Sequence, residues 1–264
     1  MIRLVCIDVD GTLVGTSGTV LPQVWSAAAR VRAGGIRLAI CSGRPAFGNT
    51  REYAERLYPA GWHVFQNGAS VVNLATGESL SQPLPRESVS TLVERARGSQ
   101  RVFELYTDES YAVESTAPRA REHAGLLGVP FEPRSFDSLG GPPVRAQWLL
   151  THDDVEAVLG EPHPALELSP STSPVMPDTT FVNITRIGVD KSSAVREVAD
   201  AYHVSLDEVM LVGDGLNDVA AMRMVGFPVA MGNAEPQVLR VARHTVGHVD
   251  DGGIVQALEL AVSG

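Results

Sequence analysis

Three short apolar runs near the start of the 264-residue chain, each closed by a polar turn and separated by helix-like stretches, constrain its fold most. They are LVCI at 4 to 7, IRLAIC at 36 to 41 and WHVFQNG at 62 to 68, the last ending in Asn67 and Gly68. Strands that are apolar along their whole length must be buried on both faces, which a parallel sheet covered by helices provides. Between them, PQVWSAAARVRAGG opens on Pro22 and closes on Gly34 and Gly35, the asymmetry expected of a helix. AFGNTREYAERLYPAG reads as a second helix, and QNG at 66 to 68 ends the third strand. Strand, helix, strand, helix, strand predicts an α/β, Rossmann-like parallel-sheet core.

The pattern then changes. PLPRESVSTLVERARG reads as a helix and RVFELYTDESYAVES as two strands about a turn at Asp108 and Glu109. A helical APRAREHAGLLG, a strand VRAQWLLT, a helical HDDVEAVLG and two further strands, ALELS and TTFVNITR, follow. PSTSPVMPD at 170 to 178 reads as a Pro/Ser-rich loop. Adjacent strands with helices interspersed suggest an α+β sheet packed on one face. From DKSSAVREVADAYHV the helix–strand alternation returns, with VMLVGD, FPVAM and HTVG as strands. The expected organisation is therefore a core domain of residues 1–82 and 186–264, interrupted by an inserted α+β domain of residues 83–185.

Composition narrows the class of partner. Twenty-one basic against thirty-one acidic residues give a net charge of −10, so nothing pulls the whole molecule toward nucleic acid or an anionic membrane. An anionic substrate would need a local positive site. No apolar run approaches the ~20 residues that span a bilayer, and no basic head precedes a separate apolar stretch. Cys6 and Cys41 each close an apolar run and read as buried free thiols. A cytoplasmic protein is the expectation.

In open α/β sheets, ligands bind outside the carboxyl ends of the strands. Those ends carry Asp8-Val9-Asp10-Gly11-Thr12, Ser42-Gly43-Arg44, Asn67-Gly68 and Gly213-Asp214-Gly215-Leu216-Asn217-Asp218. Asp8 and Asp10, two apart in extended chain, project to one side, and two close carboxylates repel unless something compensates them. Four aspartates among hydroxyls and glycines can hold a hard divalent cation, while Arg44 and the nearby Lys191 add positive charge for a phosphate. Each residue also has a plainer use: Asp214 as a helix N-cap, Asn217 and Asp218 as first-turn residues, Arg44 as a surface ion pair, Lys191 as a solvated helix residue, Asn67, Asp250 and Asp251 as turn residues.

DVDGTL, CSGRP, Lys191 within GVDKSSAV, and GDGLND resemble, in that order, the four motifs of the haloacid dehalogenase-like phosphohydrolases. With about thirty residues between the first two motifs and the insertion between the second and third, the chain resembles the Cof-type, subclass IIB branch of sugar phosphatases, which carries a large α/β cap. NGA at 67 to 69, VAMGNA at 229 to 234 and DDGG at 250 to 253 are similar to further stretches of that branch. The resemblance covers nearly all of the core and is vague through the cap.

The resemblance implies a mechanism. Asp8 would attack phosphorus in line and form an aspartyl-phosphate, and Asp10 would protonate the leaving oxygen and then activate water. Mg²⁺ would be held by Asp8, the backbone carbonyl of Asp10 and Asp214. Ser42 and Lys191 would bind the phosphoryl oxygens, Asp218 would orient Lys191 or a metal-bound water, and Asn217, Gly43 and Arg44 would line the substrate side. The expected activity is a Mg²⁺-dependent phosphatase of small phosphomonoesters, sugar or polyol phosphates foremost. A phosphomannomutase-like phosphotransferase uses the same chemistry if the cap excludes water, and a catalytically silent binding protein is the rival from another class. In the cap, Tyr106, Tyr111, Arg119, Arg121 and the loop near Thr179 are candidate contacts to the leaving group, and nothing in the sequence ranks them. Neither a P-loop nor zinc-ligand spacing occurs, and His244 and His248 read as structural. The oligomeric state is open.

Overall fold

A computed structural model describes residues 1–173 and 175–263. In chain order the elements are β1 (Leu4–Ile7), α1 (Pro22–Ala33), β2 (Arg37–Ile40), α2 (Asn49–Leu57), β3 (Trp62–Phe65), β4 (Ser70–Asn73), α3 (Arg86–Gly98), β5 (Val102–Tyr106), β6 (Tyr111–Val113), α4 (Pro118–Leu127), β7 (Arg145–Leu150), α5 (Val155–Leu159), β8 (Leu166–Ser173) and β9 (Met176–Arg186). Then follow α6 (Lys191–Ala201), β10 (Val209–Gly213), α7 (Val219–Met222), β11 (Phe227–Ala230), α8 (Pro236–Val241), β12 (His244–Thr245) and α9 (Gly253–Ser263). The chain divides into two compact units. One comprises 1–44, 50–80 and 190–264, the other 45–49 and 81–189. Gly264 lies outside the described residues.

The first unit is built on a five-stranded parallel sheet in the order β12-β11-β10-β1-β2. Every residue of β1 and β10 is buried, as their unbroken apolar runs predict. From β1 the chain crosses through α1 to β2 on one side, whereas β10, β11 and β12 run the other way. The crevice between the carboxyl ends of β1 and β10 is thus the point where the winding reverses, the usual ligand position of such sheets. The third apolar run meets the end of β2 through the parallel bridge between Cys41 and Val64, as expected, and β3 also pairs antiparallel with β4.

His63 pins this strand to its neighbour. The backbone N–H of Ile40 donates to His63 Nδ1 at 3.0 Å, so Nε2 bears the proton and donates to the carbonyl of Tyr58 at 2.9 Å. Burial holds its pKa down, to about 4, and the Tyr58 carbonyl only partly offsets it. The unfolded chain therefore takes up a proton near the ordinary histidine value of ~6.5, before the folded one does. The stability due to this depressed pKa is complete above that value and is lost as pH falls toward 4. The loss amounts to about 3 kcal/mol, at ~1.4 kcal/mol per pKa unit. Urea unfolding of wild type and His63→Gln between pH 7.5 and 4.5 measures it, and the variant is expected to lose stability less steeply by nearly one proton.

The second unit is an antiparallel sheet in the order β6-β5-β7-β9-β8. Phe103, Leu105, Trp148, Val182 and Ile184 pack on one face against Leu92 and Val93 of α3 and Val158 of α5. The other face is not left open. Ala120 of α4 covers Val102, Leu149 and Phe181 there. The stretch 170 to 178 is not a loop, since β8 runs on to Ser173 and pairs with β9 from Met176; Pro174 lies outside the described residues. Pro170 is tolerated because β8 is an edge strand, where a missing N–H costs no ladder bond. Among the described residues no helix is long and apolar enough to cross a membrane.

Candidate active site

Asp8 is the first residue beyond β1. Its N–H donates to the carbonyl of Val212 at 2.9 Å, which sets it beside the end of β10. The chain then turns through Gly11 at a φ of +78°, where a side chain would be strained. A Cβ at Gly11 would also stand 2.1 Å from Asp214 Oδ2, so only glycine lets this loop approach Asp214 so closely. Buried Thr12 then donates its hydroxyl to Asp214 Oδ1 at 2.9 Å.

Lys191 enters from α6. Asp190 caps the helix by accepting the N–H of Ser193 at 2.8 Å, while Ser193 Oγ accepts the N–H of Asp190 at 3.1 Å. A lysine in the first turn opposes the helix dipole, and this one is also almost wholly buried. Two carboxylates compensate both costs: Nζ donates to Asp8 Oδ1 and to Asp218 Oδ1, each at 2.6 Å. Burial alone would lower the Lys191 pKa, but Asp218 and Asp8 outweigh it and raise it. Asp218 Oδ2 in turn accepts the N–H groups of Asp214 and Gly215 at 3.2 and 3.1 Å. Both of its oxygens are engaged, so Asp218 holds Lys191 and the loop carrying Asp214.

The remaining candidates gather at the same end of the sheet. Arg44 donates Nε to Asp10 Oδ2 at 2.8 Å and Nη2 to Asp10 Oδ1, a two-pronged clamp on a carboxylate that stays largely exposed. Ser42 is buried, and its Oγ accepts the Arg44 N–H at 3.1 Å. Asn67, in the left-handed region at a φ of 56°, accepts a bond from Asn217 Nδ2 at 2.9 Å. A Cβ at Gly43 would stand 3.0 Å from Asn67 Oδ1, so glycine keeps this edge open.

One ammonium cannot balance the acids around it. Ligand oxygens of Asp8, Asp214 and Asp218 lie within 4.8 Å of one another. Burial raises the Asp8 pKa well above the carboxylate range; Asp218, Asp214 and Asp10 add to the rise and Lys191 offsets it in part. Burial pushes Asp214 up to about 6, with Asp218 adding and the Thr12 hydroxyl opposing. Carboxylates crowded to this degree suit a hard divalent cation bound through oxygen.

The profile of the haloacid dehalogenase-like hydrolases matches residues 5–258. The chain belongs to that family. It is 27% identical over 271 residues to the pyridoxal phosphate phosphatase YbhA of Escherichia coli, covering 96% of each chain. It is 24% identical over 265 residues to the 5-amino-6-(5-phospho-D-ribitylamino)uracil phosphatase YcsE of Bacillus subtilis, covering 97% of this chain and 94% of the relative. Among solved structures, a phosphatase of the haloalkanoate enzyme superfamily from Bacteroides thetaiotaomicron superposes with a TM-score of 0.81 at 25% identity, covering 99% of this chain and 95% of that one. The family profile and these phosphatase relatives place the hydrolase in the Cof-type branch, and as an enzyme it is a phosphoric monoester hydrolase.

Three contributors to this hydrolase's site are only weakly marked in its sequence. Thr12 follows the aspartate pair and looks like part of a turn, and Asn67 reads equally as a turn residue or as part of the strand-end cluster. Asn233 donates to the Gly11 carbonyl at 2.8 Å and to Asp214 Oδ2 at 3.3 Å. Their places after strands hint at them, and Asn67 and Asn233 also lie in the NGA and VAMGNA stretches that resemble the family. The cap candidates do not form one group. Arg119 donates Nε to Thr179 Oγ1 at 2.9 Å, beside Asp178, on a groove of about 630 Å³ in the second unit. Arg121 lies over the Phe131 ring, whereas Tyr106 and Tyr111 stack with each other and with Phe47.

Proposed function

We propose that this hydrolase is a Mg²⁺-dependent phosphatase of small phosphomonoesters, with sugar and polyol phosphates as the favoured class, working through an aspartyl-phosphate on Asp8. The observation that carries the reading is Asp8 itself. It is a buried carboxylate at the winding reversal of the sheet, 2.6 Å from an ammonium that Asp218 holds in place. Asp8 attacks phosphorus while Lys191 screens its charge and, with the Ser42 hydroxyl, donates hydrogen bonds to the phosphoryl oxygens. Asp10, the exposed member of the pair, gives its proton to the leaving oxygen and takes one from the water that opens the intermediate. Arg44 holds the Asp10 carboxyl, a positioning role beyond the substrate-side lining the sequence suggests. Asn217 and Gly43 border the substrate side.

Asp8, the carbonyl of Asp10 and Asp214 would hold Mg²⁺, which when bound neutralises charge on the phosphoryl group. Residues 83–185 would form the cap that selects the leaving group. The two relatives are named for small phosphate esters, one of pyridoxal and one of a ribitylamino-uracil, which supports a small soluble substrate. The free, buried Cys6 and Cys41 suit a reducing cytoplasm.

Phosphate release from a panel of about a hundred phosphomonoesters, each with Mg²⁺ and with EDTA, tests the reading. Release that requires Mg²⁺ and concentrates on sugar or polyol phosphates is the expected result. Metal-independent release overturns the cofactor assignment. Transfer to a second sugar hydroxyl in place of phosphate release makes the protein a phosphotransferase.

A further inference from the structure

Asn233 stands just beyond β11, outside the motifs that supply the reacting groups, yet its side chain ties three loops together. Nδ2 donates to the Gly11 carbonyl at 2.8 Å and to Asp214 Oδ2 at 3.3 Å, and Oδ1 accepts the N–H of Val249 at 3.0 Å. The N–H of Val249 and the carbonyl of Gly11 fix the orientation of the amide, since turning it over would set donor against donor and acceptor against acceptor. Asp214 thus has one donor on each oxygen: Thr12 Oγ1 on Oδ1 and Asn233 Nδ2 on Oδ2. A carboxylate so held keeps a lone pair on each oxygen while its plane is fixed. This is the arrangement by which outer groups orient a metal ligand.

We propose that Asn233 is a positioning residue that, together with Thr12, presets the Asp214 carboxylate for a divalent cation. The inference rests on the reading of Asp214 as a metal ligand. Its loss therefore weakens cation binding before any substrate is present.

A second brace nearby supplies the control. Asp250 accepts the Thr16 N–H and the Thr16 hydroxyl, each at 2.9 Å, and so ties down the far end of the same loop without touching Asp214. Loosening the loop in general and releasing Asp214 in particular are therefore separable by substitution.

The test is calorimetric titration of the whole protein with Mg²⁺ alone, for wild type, Asn233→Ala, Thr12→Val and Asp250→Ala, with a thermal melt in EDTA for each. Asn233→Ala and Thr12→Val are each expected to raise the Mg²⁺ Kd by ~10-fold or more, the range found for outer-shell groups. Asp250→Ala is expected to stay within about twofold of wild type, a control bound chosen well below that range. If Asn233→Ala fails to fold, Thr12→Val tests the same carboxylate from its other oxygen. Wild-type affinity in both variants overturns the inference, and so does an equal loss in Asp250→Ala. Absence of Mg²⁺ binding by the wild type overturns instead the reading of Asp214 as a ligand.

Discussion

Asp8→Asn is expected to lower phosphate release by ~10⁴-fold or more, the scale seen when a covalent nucleophile is removed from an otherwise intact site. The amide is nearly isosteric, but it lacks the charge that the proposed mechanism uses to attack phosphorus. Structure should survive the change. Lys191 keeps Asp218 as a partner at 2.6 Å, and the Asp8 backbone bond to Val212 does not depend on the side chain. The stability effect also has a predictable sign. Burial, followed by the neighbouring acids, raises the Asp8 pKa despite Lys191, so the ionised carboxylate works against the folded state when no cation is bound. In EDTA at neutral pH the variant should therefore melt at or above the wild-type temperature. Turnover measured beside a thermal melt separates the outcomes. Retention of more than about a thousandth of wild-type turnover would remove Asp8 from the nucleophile's role, since residual catalysis without a nucleophile falls below that level.

The elements that position Asp8 are the ones the sequence shows most clearly. β1, β2 and β10 are buried on both faces, and an apolar run without alternation has few other homes. Apolarity reports burial but not every neighbour: WHVF does meet the end of β2 in parallel, yet nothing in it announces its antiparallel partner β4. The same blindness hides β8. Its Pro and Ser residues signal a loop, and only its place at the sheet edge makes them compatible with a strand.

At the site, legibility follows charge. Asp8, Asp10, Asp214, Asp218 and Arg44 stand out because ionisable groups at strand ends call for an explanation, whereas Lys191, on a helix with other charged residues, is marked chiefly by the family resemblance. Thr12, Asn67 and Asn233 are small polar residues after strands, where turn chemistry suffices as a reason. Their contribution lies in which distant loop each one reaches, and that depends on how the strands are wound. The cap side chains are the least legible. Arg119 and Arg121, two apart on α4, differ in that one meets Thr179 and the other an aromatic ring, a distinction set wholly by tertiary packing.

Lys191→Met is expected to cost about 3–5 kcal/mol of stability in addition to abolishing turnover, the range for removing one partner of a buried ion pair. Methionine keeps most of the apolar stem, so the loss reports the ammonium rather than a cavity. Without it, Asp8, Asp214 and Asp218 remain within 4.8 Å of one another with no cation among them. Urea unfolding is best measured in EDTA, because a divalent cation held by these acids would stabilise the native state by mass action and mask the deficit. Pairing the change with Asp218→Asn discriminates further. The amide oxygen of asparagine can still accept the N–H groups of Asp214 and Gly215, while one uncompensated charge disappears. The double variant should therefore recover part of the lost stability and none of the turnover. A single variant within about 1 kcal/mol of wild type, the value of an exposed pair, would mean that Lys191 does not balance these acids. Equal stability of the single and double variants would mean that Asp218 is not the source of the deficit.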